Sequence, residues 1–199
     1  MVSGLETAIN LMLERTVDIL KQPLINTEML WILLPLLVAL FLMELYFGRY
    51  KEEKLGWNSA VSNSIVLFFV GMNLASFLYS KNMLVGLTTV APEVLEVASQ
   101  KTFIAFIILL ESIFLLVLNF FHLVSKRFAF GLSSALIMNY IGVISIVLIY
   151  SNIPINLSLL PAVLFLFIVT VLFFWILQFL EPKAEEEEEE EKEEESEEE

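Results

Sequence analysis

The sequence predicts an all-α fold, a polytopic transmembrane helical bundle of about five spans, with an N-terminal amphipathic helix and a disordered acidic C-terminal tail. Three observations support this fold class. Hydrophobic residues make up 58% of the 199 residues, and the mean hydropathy is +0.79, whereas soluble chains are roughly 45–50% apolar. Apolar stretches of about 20 residues recur along the chain. Glutamate dominates its last 16 residues.

The first segment, residues 1–28, is predicted to be an amphipathic helix that ends near Pro23. Its apolar residues recur at intervals of three and four, and most of its charged residues lie on the other side. The apolar positions are Leu5, Ile9, Met12, Leu13, Val17 and Leu20. Such a helix is expected to cap the bundle or to lie on the membrane surface, and docking of a partner is the alternative.

The second segment, residues 29–181, is predicted to form the helical bundle. Its candidate spans are residues 29–48, 59–80, 102–124, 128–150 and 157–180. Each is long enough to cross the hydrocarbon core as a helix. We expect each span to be helical throughout, because backbone groups in lipid must find hydrogen-bond partners within their own segment.

The distribution of Lys and Arg predicts that the N-terminus lies outside and the C-terminal tail in the cytoplasm of a multi-pass cell-membrane protein. Seven of these residues fall on one side of the predicted bundle, namely Arg49, Lys51, Lys54, Lys126, Arg127, Lys183 and Lys192. The other side has four, namely Arg15, Lys21, Lys81 and Lys101.

The net charge of −13 comes almost entirely from the tail. Residues 184–199 contain thirteen Glu and one Lys, a charge of −12, which leaves the rest of the chain near neutrality. An acidic run of this kind repels itself and buries no apolar surface, so residues 182–199 are predicted to be disordered.

Several kinds of chemistry are excluded by composition. The chain has no cysteine and one histidine, so thiol catalysis, disulfides and histidine-rich metal centres are ruled out, and no cofactor is expected. No basic patch with interleaved aromatic residues predicts nucleic-acid binding. The expected partners are the lipid bilayer and either other membrane proteins or a second copy of the chain.

Small residues form one stripe on the second span and one on the fourth. They are Ala60, Ser64, Gly71 and Ala75 in the second span, and Gly131, Ala135 and Gly142 in the fourth. Small side chains let helix backbones approach closely in lipid. We expect these stripes to make tight contacts within the chain, and a dimer interface is the alternative.

An offset of 75 residues aligns the first two predicted spans with the next two. An internal duplication of this pair of spans is therefore an open alternative.

Glu111 is the one acidic residue in the middle of a predicted span. A charged side chain at that depth costs about 2.5–3.5 kcal/mol on insertion scales, so it must face protein or water, or take a proton. Counting residues along each span places Asn73, Asn139 and Tyr140 at a similar depth. We therefore predict a polar cluster in which Glu111 bonds with one of these three.

A second polar layer is predicted near the inner face of the bundle. It contains Glu44, Asn63, Asn119 and His122, with Gln178 at similar depth. Glu111 and His122 are eleven residues apart and so share a helix face, which allows a proton relay. The simpler interpretation is that these residues hydrogen-bond to neighbouring helices or to lipid headgroups.

Three function classes remain. The sequence favours a non-catalytic scaffold, assembly factor or subunit of a membrane complex, because it contains few residues capable of chemistry. A small transporter or proton-coupled carrier using Glu111 is the first alternative. An intramembrane lipid-modifying enzyme is the second, and the acids, histidines and nucleophiles that it needs are sparse.

Overall fold

A computed structural model of the chain describes residues 2–49 and 56–180. These residues form helices and no named strand. The helices are α1 (Val2–Ile25), α2 (Leu30–Arg49), α3 (Trp57–Ser80), α4 (Leu95–Phe120), α5 (Lys126–Leu132), α6 (Ala135–Tyr150) and α7 (Leu160–Leu180). The predicted acidic tail, and Lys51 and Lys54 of the first loop, lie outside the described residues.

Five helical segments of the described chain are long and apolar enough to cross a membrane. They are Thr27–Arg49, Trp57–Ser80, Pro92–Phe120, Lys126–Tyr150 and Leu157–Leu180. The prediction of an all-α chain with five candidate spans is therefore confirmed. The third segment begins earlier than residue 102 and ends at Phe120, before the predicted end at residue 124.

The fourth segment is not the continuous helix that the sequence predicted. It consists of α5 and α6, which are separated at Ser133 and Ser134. Ser134 has extended backbone angles, and its hydroxyl accepts a hydrogen bond from the backbone nitrogen of Ile137 at 3.4 Å. Ser134 thus acts as the N-cap of a new helix, a role that serine fills well.

The α6 helix lies at the centre of the bundle. It packs against α2, α3, α4 and α7, while α3 and α4 make the most extensive pair contact. Residues of α6 such as Ile146 and Ile149 are fully buried, together with Leu33 of α2 and Leu74 of α3. The two sides of the molecule, α3–α4 and α2–α7, are therefore held together mainly through α6.

The N-terminal helix α1 covers one end of this assembly. It contacts α6, α7 and the turn that precedes α7. Thr16 and Ile19 face the bundle and are buried, whereas Leu13 and Leu20 are exposed. As predicted from its periodicity, this segment is helical, and it ends at Ile25, one turn or less after Pro23.

Candidate functional site

The most concentrated group of buried polar side chains surrounds the break between α5 and α6. We call it the asparagine–serine cluster, and it consists of Asn63, Ser64, Asn119 and Ser133. The amide nitrogen of Asn119 lies 2.7 Å from the Ser133 hydroxyl, 3.0 Å from the Ser64 hydroxyl and 3.3 Å from the carbonyl oxygen of Ala60. Asn119 is completely buried. The cluster therefore joins α4 to α3 and to the helix break.

The break itself explains why the cluster exists. Where a helix is interrupted, carbonyl groups lose their partners within the helix and must be satisfied by other groups. The carbonyl oxygen of Ser133 accepts from the amide nitrogen of Asn63 at 2.8 Å. Polar side chains of neighbouring helices are the usual way to satisfy such groups in a membrane. One polar atom of the cluster, Oδ1 of Asn119, is buried without a hydrogen-bond partner among the described residues.

The remaining residues of the predicted inner polar layer, Glu44, His122 and Gln178, lie at two other positions in the structure. Glu44 of α2 accepts a hydrogen bond from the Gln178 side chain of α7 at 2.9 Å. His122 lies beyond the end of α4 with a left-handed backbone (φ 53°). Its ring stacks on Trp57 with 4.0 Å between centroids. The structure thus brings Asn63 and Asn119 together, pairs Glu44 with Gln178, and places His122 in an aromatic contact.

The four residues of the predicted polar cluster, Glu111 included, have separate surroundings. Asn73 accepts from the hydroxyl of Tyr150 at 3.0 Å, and Asn139 donates to the carbonyl of Ala135 at 2.7 Å. The hydroxyl of Tyr140 donates to the carbonyl oxygen of Val163 on α7. Glu111 is half-buried on α4. In residues 2–49 and 56–180, no hydrogen bond connects Glu111 with the other three.

The small-residue stripes contain two close helix contacts. A Cβ atom on Gly71 would lie 2.9 Å from Cδ2 of Leu109 on α4, and one on Gly142 would lie 3.1 Å from Cδ2 of Leu36 on α2. Ala60, Ser64 and Ala135 are buried, and Ala75 is half-buried. Gly131 differs, because a Cβ there would meet no atom within 4 Å.

One buried polar contact was missed by the sequence reasoning. Lys101, which lies just before the third predicted span, is only 4% exposed. Its ammonium group donates to the carbonyl oxygen of Ser151 at 2.7 Å and thereby ties α4 to the end of α6. The only signal in the sequence is that Lys101 is adjacent to an apolar stretch, which does not distinguish a loop lysine from a buried one.

Two crevices of the described chain differ in the polarity of their linings. An apolar crevice of about 220 Å³ lies between α1, α2, α6 and α7. A polar crevice of about 320 Å³ near Asp18 and Asn152 lies at one end of α1. Within residues 2–49 and 56–180, no group of three or more His, Cys, Asp or Glu side chains is placed to hold a metal ion.

Comparison with protein-family models, with curated proteins and with solved structures finds no match to this chain.

Proposed function

We propose that this chain is a multi-pass integral membrane protein that acts without catalysis, as a scaffold, assembly factor or subunit of a membrane complex. The described helices are compatible with a membrane protein because five of them have the length and apolar composition of spans. In this proposal the N-terminus is outside, the acidic tail is in the cytoplasm, and lipid is the solvent of the outer helix faces.

The exposed surface of α7 gives the strongest support for insertion. Leu164, Ile168, Trp175 and Phe179 are each more than half exposed. Isolated exposed apolar residues are ordinary on soluble proteins, but a contiguous exposed apolar surface of this extent is not. Contact with lipid tails would account for this exposed apolar surface, because lipid tails are as apolar as these side chains.

The single observation that carries the non-catalytic role is how the buried polar groups are used. Asn63 and Asn119 bond to groups on neighbouring segments, Lys101 bonds to Ser151, and Tyr140 bonds to Val163. Each of these side chains connects two helices or a helix and a turn. Groups engaged in this way hold helices together. The amides of Asn63 and Asn119 carry no titratable proton near neutral pH and are not nucleophiles.

A carrier that uses Glu111 is the second candidate, and one observation favours it. The fourth candidate span is interrupted at Ser133 and Ser134, and interrupted helices form the substrate and ion sites of many transporters. In this alternative Glu111 would line a hydrated path and exchange a proton during transport.

Two measurements test the proposal with the full-length chain. Membranes that contain the chain are washed at alkaline pH, and the chain is then extracted in a mild detergent and sized on a native gel. We expect it to resist the wash and to migrate as an assembly larger than the detergent-bound form of the 22.7 kDa monomer. Release by the wash would contradict membrane insertion, and a monomer from its native membrane would contradict the subunit role.

The carrier is tested separately. The chain and its Glu111→Gln variant are reconstituted into vesicles that contain a pH-sensitive dye, and proton flux is followed after a pH jump. We expect both samples to match protein-free vesicles. A flux that the wild-type chain supports and the variant abolishes would favour the carrier over the scaffold.

A further inference from the structure

The groove between α2 and α3 is the feature of the molecule that the proposed function leaves unexplained. Of these consecutive helices, α2 packs mainly against α6, and α3 packs against α4 and α6, so the two make little contact with each other. The space between them is a groove of about 410 Å³. We call it the α2–α3 groove, and its lining includes Ile32, Pro35 and Leu36 of α2 and Val66, Phe69 and Asn73 of α3.

Two residues that line this groove, one on α2 and one on α3, approach the same glycine of the central helix. A Cβ atom on Gly142 of α6 would lie 3.1 Å from Leu36 and 3.6 Å from Val70, both of which line the groove. Because Gly142 has no side chain, α2 and α3 both approach α6 closely. The α2–α3 groove is the space that remains between the two helices. The groove is thus built into the packing of the bundle.

Asn73 supplies a polar group in this otherwise apolar lining. Its side-chain oxygen accepts from the Tyr150 hydroxyl at 3.0 Å. Its amide nitrogen donates to no protein atom within the described part of the chain. Asn73 is exposed and lies about 10 Å along α3 from the end of that helix at Ser80. A lipid acyl chain has no hydrogen-bond acceptor, so the Asn73 amide group needs an acceptor from another molecule.

We propose that the α2–α3 groove is a dimer interface in the membrane and that its occupant is a second copy of this chain. This inference rests on the proposed membrane function and names a partner for it. An asparagine amide is both donor and acceptor, so two Asn73 side chains related by a two-fold axis can bond to each other. Phe69 provides a matching apolar contact, because its ring is 65% exposed at the edge of the groove. One patch therefore carries both a projection and a recess, as an isologous interface requires.

Cross-linking of single cysteines tests the geometry, and the natural chain is suited to it because it contains no cysteine. Phe69→Cys places a thiol in the lining of the groove. Ser76→Cys places one about two turns further along the same face of α3. Phe106→Cys on α4 and Leu172→Cys on α7 are matched controls at exposed apolar positions. Each full-length variant is reconstituted into liposomes and treated with a short thiol-to-thiol cross-linker.

We expect the two groove variants to form covalent dimers in several-fold higher yield than the two controls. The yield should stay constant when the lipid-to-protein ratio is raised tenfold, since random collisions decline on dilution and a specific dimer persists. Equal yields at all four positions, or loss of the groove cross-link on dilution, would overturn the dimer.

Substitutions at Asn73 test the chemistry by energy transfer between labelled copies in the same liposomes. Asn73→Leu should weaken the dimer about three- to tenfold, the usual range for a hydrogen bond between membrane helices. Asn73→Gln retains the amide and should restore part of the affinity. Tyr150→Phe removes only the hydrogen bond within the chain, so it should leave the dimer intact. Unchanged affinity in Asn73→Leu would overturn the proposed contact.

Failure of this inference is distinguishable from failure of the proposed function. A chain that resists the alkaline wash and migrates as a large native assembly, yet gives no groove cross-link, retains the proposed function and loses the dimer. In that case the acceptor for Asn73 is a lipid ester group or another protein.

Discussion

The amide nitrogen of Asn119 lies 2.7 Å from the hydroxyl oxygen of Ser133, at the point where α5 ends and α6 begins. This contact links the end of α4 to the interruption of the fourth candidate span. Because Asn119 is fully buried and also reaches Ser64 on α3, one side chain holds three segments in register.

Asn119→Leu should lower the free energy of unfolding by about 1–3 kcal/mol, since it removes these contacts and leaves buried acceptors without a donor. The measurement is an unfolding titration in detergent, followed by the fluorescence of the three tryptophans. Asn152→Leu is the matched control, because the Asn152 side chain is exposed and makes no hydrogen bond among the described residues. Equal destabilisation by both variants would refute a special role for Asn119.

Lys101 can be tested with two substitutions that separate its charge from its packing. Lys101→Met retains most of the buried hydrocarbon stem but removes the donor to the buried carbonyl of Ser151, so stability should fall by only about 1 kcal/mol. Lys101→Ala leaves a cavity and should cost roughly 2–3 kcal/mol. Thermal unfolding in detergent ranks the stabilities of the two variants. A methionine variant as unstable as the alanine variant would contradict this prediction.

Valine substitutions at Gly71 and Gly131 test the close helix contacts, because a Cβ atom would be crowded at the first position and free at the second. Gly71→Val places a branched side chain against Leu109, where even a Cβ would lie at 2.9 Å, and should destabilise the chain by about 1–3 kcal/mol through overpacking. Gly131→Val enters open space and should be neutral or slightly stabilising, since valine favours a helix more than glycine does. The result is read from unfolding midpoints in one detergent.

Two acids of the candidate spans, Glu44 and Glu111, should respond differently to removal. Glu44→Leu breaks the hydrogen bond to Gln178 and should lower stability by about 0.5–1.5 kcal/mol. Glu111→Leu removes a half-buried carboxylate that has no hydrogen-bond partner among the described residues, so stability should be unchanged or higher. A large loss of stability in Glu111→Leu would reveal an essential contact of that carboxylate.

The number and approximate positions of the candidate spans could be predicted because hydropathy is summed over about 20 residues and needs no knowledge of contacts. The start of α4 could not be predicted in the same way. Residues 96–101 contain two charges and two other polar side chains, and they join the helix because Lys101 finds an acceptor at Ser151, 50 residues away.

The break in the fourth span could not be predicted from the residues next to it in the sequence. Ser133 and Ser134 do not interrupt a helix by themselves, and the groups that satisfy the break belong to Asn63 and Asn119, at separations of 70 and 14 residues. Asn63, Asn119 and Glu44 were recognised as important polar residues. Their division into two clusters depends on which helices are neighbours, and the sequence does not specify that.

The central place of α6 has a consequence for biosynthesis. Ribosomes synthesise α2 and α3 well before α6, yet Leu36 and Val70 pack against Gly142 of that later helix. Nascent chains that end before residue 135 therefore lack the element that joins their two halves. Such intermediates should be sensitive to proteases and dependent on chaperone protection until α6 leaves the ribosomal tunnel.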